Sequence, residues 1–310
     1  MSELATNPAT ESTLSARLAR LAPWTALAYG LALMALDAAT VPSVTGAVVL
    51  TALGYCLLTA LVLLTAAGLA AARMPRWAEP LLLAGGVVVW SSFVHAVPPN
   101  RPLPIWASAG AAVAMMVATV GLARVLVTWV LREKNLLPVC LVLMGVVDLW
   151  GVTFGFTAHA LATNPDAVAK ASAALPAVQS SMPLPPGFSL PDLSIGPGDV
   201  LFMALVLGVV VRHGLPLAAN LKWMFGLLLV GLGLAFGTPW AIPGLIFIGA
   251  AGLVANRGQW DYSEAEKRSL KLAAAIMLPV LVVAGWLYQA RQATLPAPAE
   301  QMDRGNHGKG

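Results

Sequence analysis

Nine stretches of the 310-residue chain are apolar enough, for long enough, to read as bilayer-crossing helices. They lie at 23–41, 44–71, 79–98, 104–131, 137–159, 190–211, 221–236, 239–255 and 269–289. A helix rises about 1.5 Å per residue, so about 20 apolar residues cross about 30 Å of hydrocarbon. The second and fourth stretches are long enough to tilt or to extend past the bilayer. The seventh and eighth are short and glycine-rich, separated by the breaker Gly237-Thr238-Pro239. No strand is predicted and no internal repeat is visible. The polar ends, 1–14 and 292–310, read as disordered tails. The first apolar run follows Arg17 and Arg20 as in a signal peptide, but it is too long for such a segment and lacks a small-residue cleavage site. It reads as a retained anchor.

Composition narrows the class. Apolar residues make up 58% of the chain and charged residues 10%, against roughly 25% charged in soluble domains. That is too little charge to cover a water-facing surface, so a soluble globule is excluded. The two cysteines, Cys56 and Cys140, lie inside apolar runs without paired spacing and read as packing residues. The four histidines are scattered, with no pair at helical ligand spacing, so no metal or haem site is predicted. The fold class is all-α, a polytopic integral membrane protein of about nine transmembrane helices. The chain divides into a cytoplasmic tail (1–22), a four-helix region (23–136), a region bearing the candidate chemistry (137–255), a cytoplasmic loop with a final helix (256–291) and a tail (292–310).

The net charge of +4 reads as cytoplasmic loop charge, not as a nucleic-acid footprint. With the N-terminus inside, thirteen basic residues, from Arg17 through Arg73, Arg124 and Arg212 to Lys271, fall on the cytoplasmic side. Five (Arg101, Lys170, Arg291, Arg304 and Lys309) fall outside. The alternation predicts an N-in, C-out topology. The Ala/Leu/Gly-rich, lysine-poor composition is that of a GC-rich bacterial genome, which points to a bacterial cytoplasmic membrane.

An aspartate at the bilayer centre costs roughly 2.5–3.5 kcal/mol, so an intramembrane acid marks a candidate functional site. There are three: Asp37, Asp148 and Asp199. Asp37 lies near the outer end of the first span and reads as a hydrated interfacial acid. Asp148 stands 11 residues from Leu137, and Asp199 stands 12 from Val211. Both therefore lie about 16–18 Å from the cytoplasmic ends of antiparallel neighbouring spans. The apolar run after Asp199 is too short to span alone, so a helix or an extended continuation must begin near Leu190. Two carboxylates that meet in low dielectric cannot both ionise cheaply; the pair holds one proton and titrates as a unit. Around Asp199, Gly196 and Gly198 permit close backbone approach, and Pro197 suits a helix start. A simple helix-opening turn accounts for the same residues. Pro243-Gly244-Leu245 falls at the same depth, about 13 residues from Arg257. Its proline frees a backbone carbonyl where unpaired backbone is costly, although a plain helix kink would look the same.

Together, Val147-Asp148, Gly196-Pro197-Gly198-Asp199 and Pro243-Gly244-Leu245 resemble the three ordered motifs of the GxGD intramembrane aspartyl proteases, the family of presenilin and signal peptide peptidase. The resemblance covers 137–255. Valine stands where that family has tyrosine, proline fills the variable GxGD position, and glycine replaces the alanine of Pro-Ala-Leu. The resemblance implies catalytic Asp148 and Asp199, an active-site wall of Gly196, Gly198, Pro243, Gly244 and Leu245, and no cofactor beyond water. It also implies transmembrane or signal-peptide helices as substrates, entering N-in. The outside loop 160–189 carries four prolines within 176–189. A short helix is predicted from Asn164-Pro165-Asp166 to about Ala174. The stretch before Gly196 would pair edge-on with an unwound substrate or serve as a flexible tether. The run Asp261–Lys271 reads as a solvated turn. The alternatives are a proton-coupled transporter or channel using the two aspartates, and a catalytically inactive relative or scaffold. A prepilin-peptidase-like enzyme is disfavoured, because Val200-Leu201 stand where a lysine would closely follow its GxGD.

Overall fold

The computed structural model describes residues 8–98, 103–153, 172–183, 193–238 and 243–293. These contain nine helices: α1 (Pro8–Ala38), α2 (Val44–Ala71), α3 (Ala78–His95), α4 (Ile105–Trp129), α5 (Leu136–Thr153), α6 (Pro197–Arg212), α7 (Leu217–Gly237), α8 (Gly244–Ala255) and α9 (Glu264–Ala293). Six of them, α1–α4, α7 and α9, are long and apolar enough to cross a membrane. The protein is a helical membrane protein. The other three, α5, α6 and α8, carry the candidate chemistry.

In lipid there is little hydrophobic drive between helices; close approach of small residues and buried polar bonds hold a bundle together. Both devices are present. A Cβ on Gly86 would lie 2.6 Å from the Ala118 nitrogen, and one on Gly121 would lie 2.6 Å from the Leu83 nitrogen. Only glycine lets the α3 and α4 backbones meet this closely. Thr65 of α2 donates its hydroxyl to Thr25 of α1 at 2.8 Å. The core centres on α6, from Val200 to Val210, which packs against α2, α4, α7 and α8.

Asn220 of α7 and Asn256 at the end of α8 are fully buried. Each amide nitrogen donates to the other's oxygen, at 3.0 and 2.8 Å, and each also donates to a backbone carbonyl (Pro216 and Gly252). This clamp fixes the far end of the short α8. Asn220→Leu alone strands the buried Asn256 amide and lowers stability by about 1–3 kcal/mol; Asn256→Leu does the same in reverse. The double variant loses less than the sum, because it leaves no orphan. Thermal unfolding of the four proteins measures this, and strict additivity would show that the amides act independently.

Several expectations are corrected. The first helix begins at Pro8, not near 23, so neither the disordered segment 1–14 nor a separate tail 1–22 holds for the described part. Its early turns are docked: Leu18 is buried, and Glu11 Oε2 accepts the Leu217 N–H at the start of α7 at 3.1 Å. Residues 1–7 and 294–310, where the remaining tail readings fall, lie outside the described residues. The solvated run Asp261–Lys271 is helical from Glu264. Ser263 caps Glu266 N–H through its hydroxyl, and Glu266 Oε2 reaches back to Ser263 N–H at 2.7 Å. Asp37 is exposed, as an interfacial acid would be.

The prediction of no strands is also overturned. Short strands β1 (Thr40–Val41), β2 (Ala173–Leu175), β3 (Gln179–Ser180) and β4 (Leu193–Ile195) form two two-stranded ribbons. β1 pairs with β3 in parallel, and β2 pairs with β4 antiparallel, with Ala174 opposite Ser194. The helix expected through Ala174 is therefore strand at Ala173; its start at Asn164 lies outside the described residues. Nor is 172–183 a loose tether. The buried Tyr55 hydroxyl donates to the Leu175 carbonyl at 2.9 Å, and Thr51 Oγ1 accepts the Val178 N–H at 2.9 Å. These strands are too short to show as alternation in the sequence, and β1 finds its partner more than a hundred residues away.

Candidate active site

The six residues Gly196 to Leu201 show how local chemistry sets the geometry. Gly196 is the extended N-cap of α6, Pro197 occupies its first position, where no N–H is needed, and Asp199 sits at the third. Asp199 Oδ2 accepts the Gly196 N–H at 3.0 Å. The residues ahead of Gly196 are strand β4, so the extended continuation is the form the chain takes, with 190–192 outside the described residues. Asp199 thus stands at the N-terminus of a 16-residue helix. Here unsatisfied N–H groups and the positive end of the helix dipole favour an anion.

α8 repeats this logic. Pro243 is its extended N-cap, and Gly244 and Leu245 form its first turn. Pro243 therefore opens a helix instead of kinking one; residues 239–242 lie outside the described residues. The N–H groups of the first turn have no partner within the helix. Leu245 N–H donates to Asp148 Oδ2 at 3.0 Å. A Cβ on Gly244 would lie 2.9 Å from Asp199 Oδ1 and 3.6 Å from its Cγ. One three-residue segment therefore binds the first carboxylate and lies against the second. The first turn of α8 is thus common to both acids.

The expectation that the two aspartate helices are direct neighbours is corrected. α5 and α6 barely touch; α8 packs against both and bridges them. It can do so because it is narrow. A Cβ on Gly249 would meet the Leu141 carbonyl of α5 at 3.3 Å, and one on Gly252 would meet Leu141 Cδ1 at 2.8 Å and Val206 Cγ1 of α6 at 3.4 Å. Both aspartates are only partly buried. Apart from its chain neighbours and its own helix backbone, nothing lies within 4 Å of a Cβ built on Gly198, so the space beside it is open. Gly196 lies against Asp199, 3.4 Å from its Oδ2 by the same measure. All seven predicted site residues thus fall in one neighbourhood.

No family model, curated protein or solved structure matches the chain.

Residues that the sequence did not flag complete the surroundings. Trp150 Nε1 donates to the Leu281 carbonyl at 2.7 Å and ties α5, two residues beyond Asp148, to α9. Tyr55 and Thr51 fix the ribbon that leads into Gly196. Their signal would have been a polar group inside an apolar span, which a search restricted to ionisable residues passes over.

Two helix N-termini and two carboxylates that converge on one segment inside a bundle can orient a water and exchange protons with it. Irregular backbone at this level is tolerated only where it is buried in protein or lines a wet cavity.

Proposed function

We propose that this chain is an intramembrane aspartyl endopeptidase, hydrolysing a peptide bond within a transmembrane or signal-peptide helix. Asp148 and Asp199 share one proton. The ionised acid takes a proton from water as the water oxygen attacks the scissile carbonyl, and the protonated acid polarises that carbonyl. The leaving amine takes a proton as the C–N bond breaks, which returns the dyad to its starting state. The observation that carries this reading is the Pro243–Leu245 segment, hydrogen-bonded to one carboxylate and pressed against the other. Helix capping alone would account for Asp199, but it gives no reason for a second acid held by the same segment.

β4 supports the substrate side of the reading. Among the described residues it pairs only with β2, so its other edge is available to an unwound substrate strand, four residues from Asp199. In this reading nine helices cross a bacterial cytoplasmic membrane, the arginine-bearing end faces the cytoplasm, and substrates enter N-in. Water is the only co-reactant.

A proton-coupled transporter is the second reading. Interrupted helices whose N-termini meet at mid-membrane are a recurrent transporter device. One experiment separates the two: a tagged N-in model helix is incubated with purified full-length protein from acid to neutral pH, beside a proton-flux assay in proteoliposomes. Cleavage is expected with a bell-shaped pH profile, because one carboxyl must be ionised and its partner protonated. Flux without cleavage at any pH would replace the protease by the transporter.

A further inference from the structure

At the end of the bundle opposite the β ribbons, the α2–α3 turn and the ends of α4 and α6 enclose a groove of about 480 Å³. Four arginines line it (Arg73, Arg76, Arg124 and Arg212) against one carboxylate, Glu79. Arg124 is largely buried. Its Nη1 donates to the Leu69, Ala70 and Ala72 carbonyls at 2.7–3.0 Å, and its Nη2 pairs with Glu79 Oε1 at 3.3 Å. Arg212 Nη1 donates to the Val127 carbonyl at 2.6 Å. After these bonds the groove still holds unmet demand. Arg124 Nε, a donor, and Glu79 Oε2, an acceptor, are both buried without partners. Arg73 and Arg76 are exposed and make no hydrogen bond or ion pair among the described residues.

An occupant that satisfies the groove must be anionic, to answer the arginines, and must also offer an O–H, to answer Glu79 Oε2. A bare cation fits neither the excess of arginine nor Arg124 Nε. Position selects the source. The groove lies at the ends of apolar helices, beside Trp77 at 67% and Trp129 at 58% exposure. Such amphipathic rings sit at the headgroup level of a bilayer, and basic pockets between helices at that level bind lipid headgroups.

The geometry points to a binding site for an anionic phospholipid with a hydroxylated headgroup. The phosphodiester lies between Arg73, Arg76 and Arg124 Nε, and a headgroup hydroxyl donates to Glu79. This site is independent of the two aspartates and stands whether or not the chain is a protease.

The test uses full-length protein in neutral detergent, with lipid retention read by native mass spectrometry. Phosphatidylglycerol is retained about tenfold over phosphatidylcholine, and Arg73→Gln/Arg76→Gln brings that ratio close to one, since each basic residue near the surface contributes severalfold. Both substitutions are on exposed side chains, and unchanged melting without lipid shows that the fold is kept. Equal retention of the two lipids, or a preference that survives the double substitution, overturns the site. Phosphatidylethanol, with the same charge and no headgroup hydroxyl, is retained severalfold less than phosphatidylglycerol; equal retention overturns the Glu79 contact. Inorganic phosphate alone leaves the melting temperature unchanged. Stabilisation by phosphate equal to that by phosphatidylglycerol would overturn the lipid assignment in favour of a soluble anion.

Discussion

Asp148→Asn and Asp199→Asn each reduce cleavage of a model helix by about 10²- to 10⁴-fold, the usual contribution of a positioned acid or base. The amide is the informative replacement. Its carbonyl oxygen can still accept the Leu245 N–H at position 148 or the Gly196 N–H at position 199, the bonds seen at 3.0 Å in both cases. It can neither ionise nor hold the shared proton. A purely structural role for Asp199, capping α6 as an acid at the third position of a helix commonly does, predicts that Asn is tolerated. A catalytic role predicts near-complete loss with melting unchanged. Full cleavage by either variant would remove the dyad, and at position 199 it would leave the side chain a helix cap alone.

Gly244→Val is expected to cost about 10²-fold in turnover while leaving substrate binding largely intact. The Cβ that valine adds would lie 2.9 Å from Asp199 Oδ1, and its two methyl groups drive the carboxylate, or the start of α8, further away. A displacement of about 1 Å at a reacting group is enough for an effect of this size. Gly244→Ala is the graded control. Only the end of one flexible side chain has to yield, by a few tenths of an ångström, so its loss stays within about tenfold. Alanine is also what the resembled Pro-Ala-Leu motif carries, so this variant asks whether Asp199 here tolerates that motif. Single-turnover kinetics on the three proteins separates the cases, and valine at full turnover would mean that Gly244 does not set the carboxylate position.

Much of this arrangement is legible in the sequence because the membrane makes local composition informative. Runs of apolar residues mark the helices, and an aspartate inside such a run stands out against its insertion cost. Depth follows from counting residues along a helix, which is why Asp148, Asp199 and Pro243 could be set at one level without coordinates. Contact does not follow from counting. That α8 intervenes between α5 and α6 depends on Gly249 and Gly252 meeting Leu141 and Val206, pairings between distant segments. The Asn220–Asn256 clamp and the Arg124–Glu79 pair are hidden for the same reason. The early start of α1 was masked by polarity, since a helix lying at the bundle's end needs no apolar run. The Ser263/Glu266 capping box is legible as Ser-x-x-Glu ahead of an apolar helix.

The hydrogen bond between Leu245 and Asp148 also bears on how the protein is made. The two residues are 97 positions apart. During synthesis α5 therefore enters the bilayer with its acid unanswered, at a cost of roughly 2.5–3.5 kcal/mol, and stays so until α6 and α7 have followed and α8 emerges. Until then neither carboxylate has the segment that brings the pair together. Under the proposed activity, a chain that stalls before residue 243 lacks the segment that holds Asp148 and is inert.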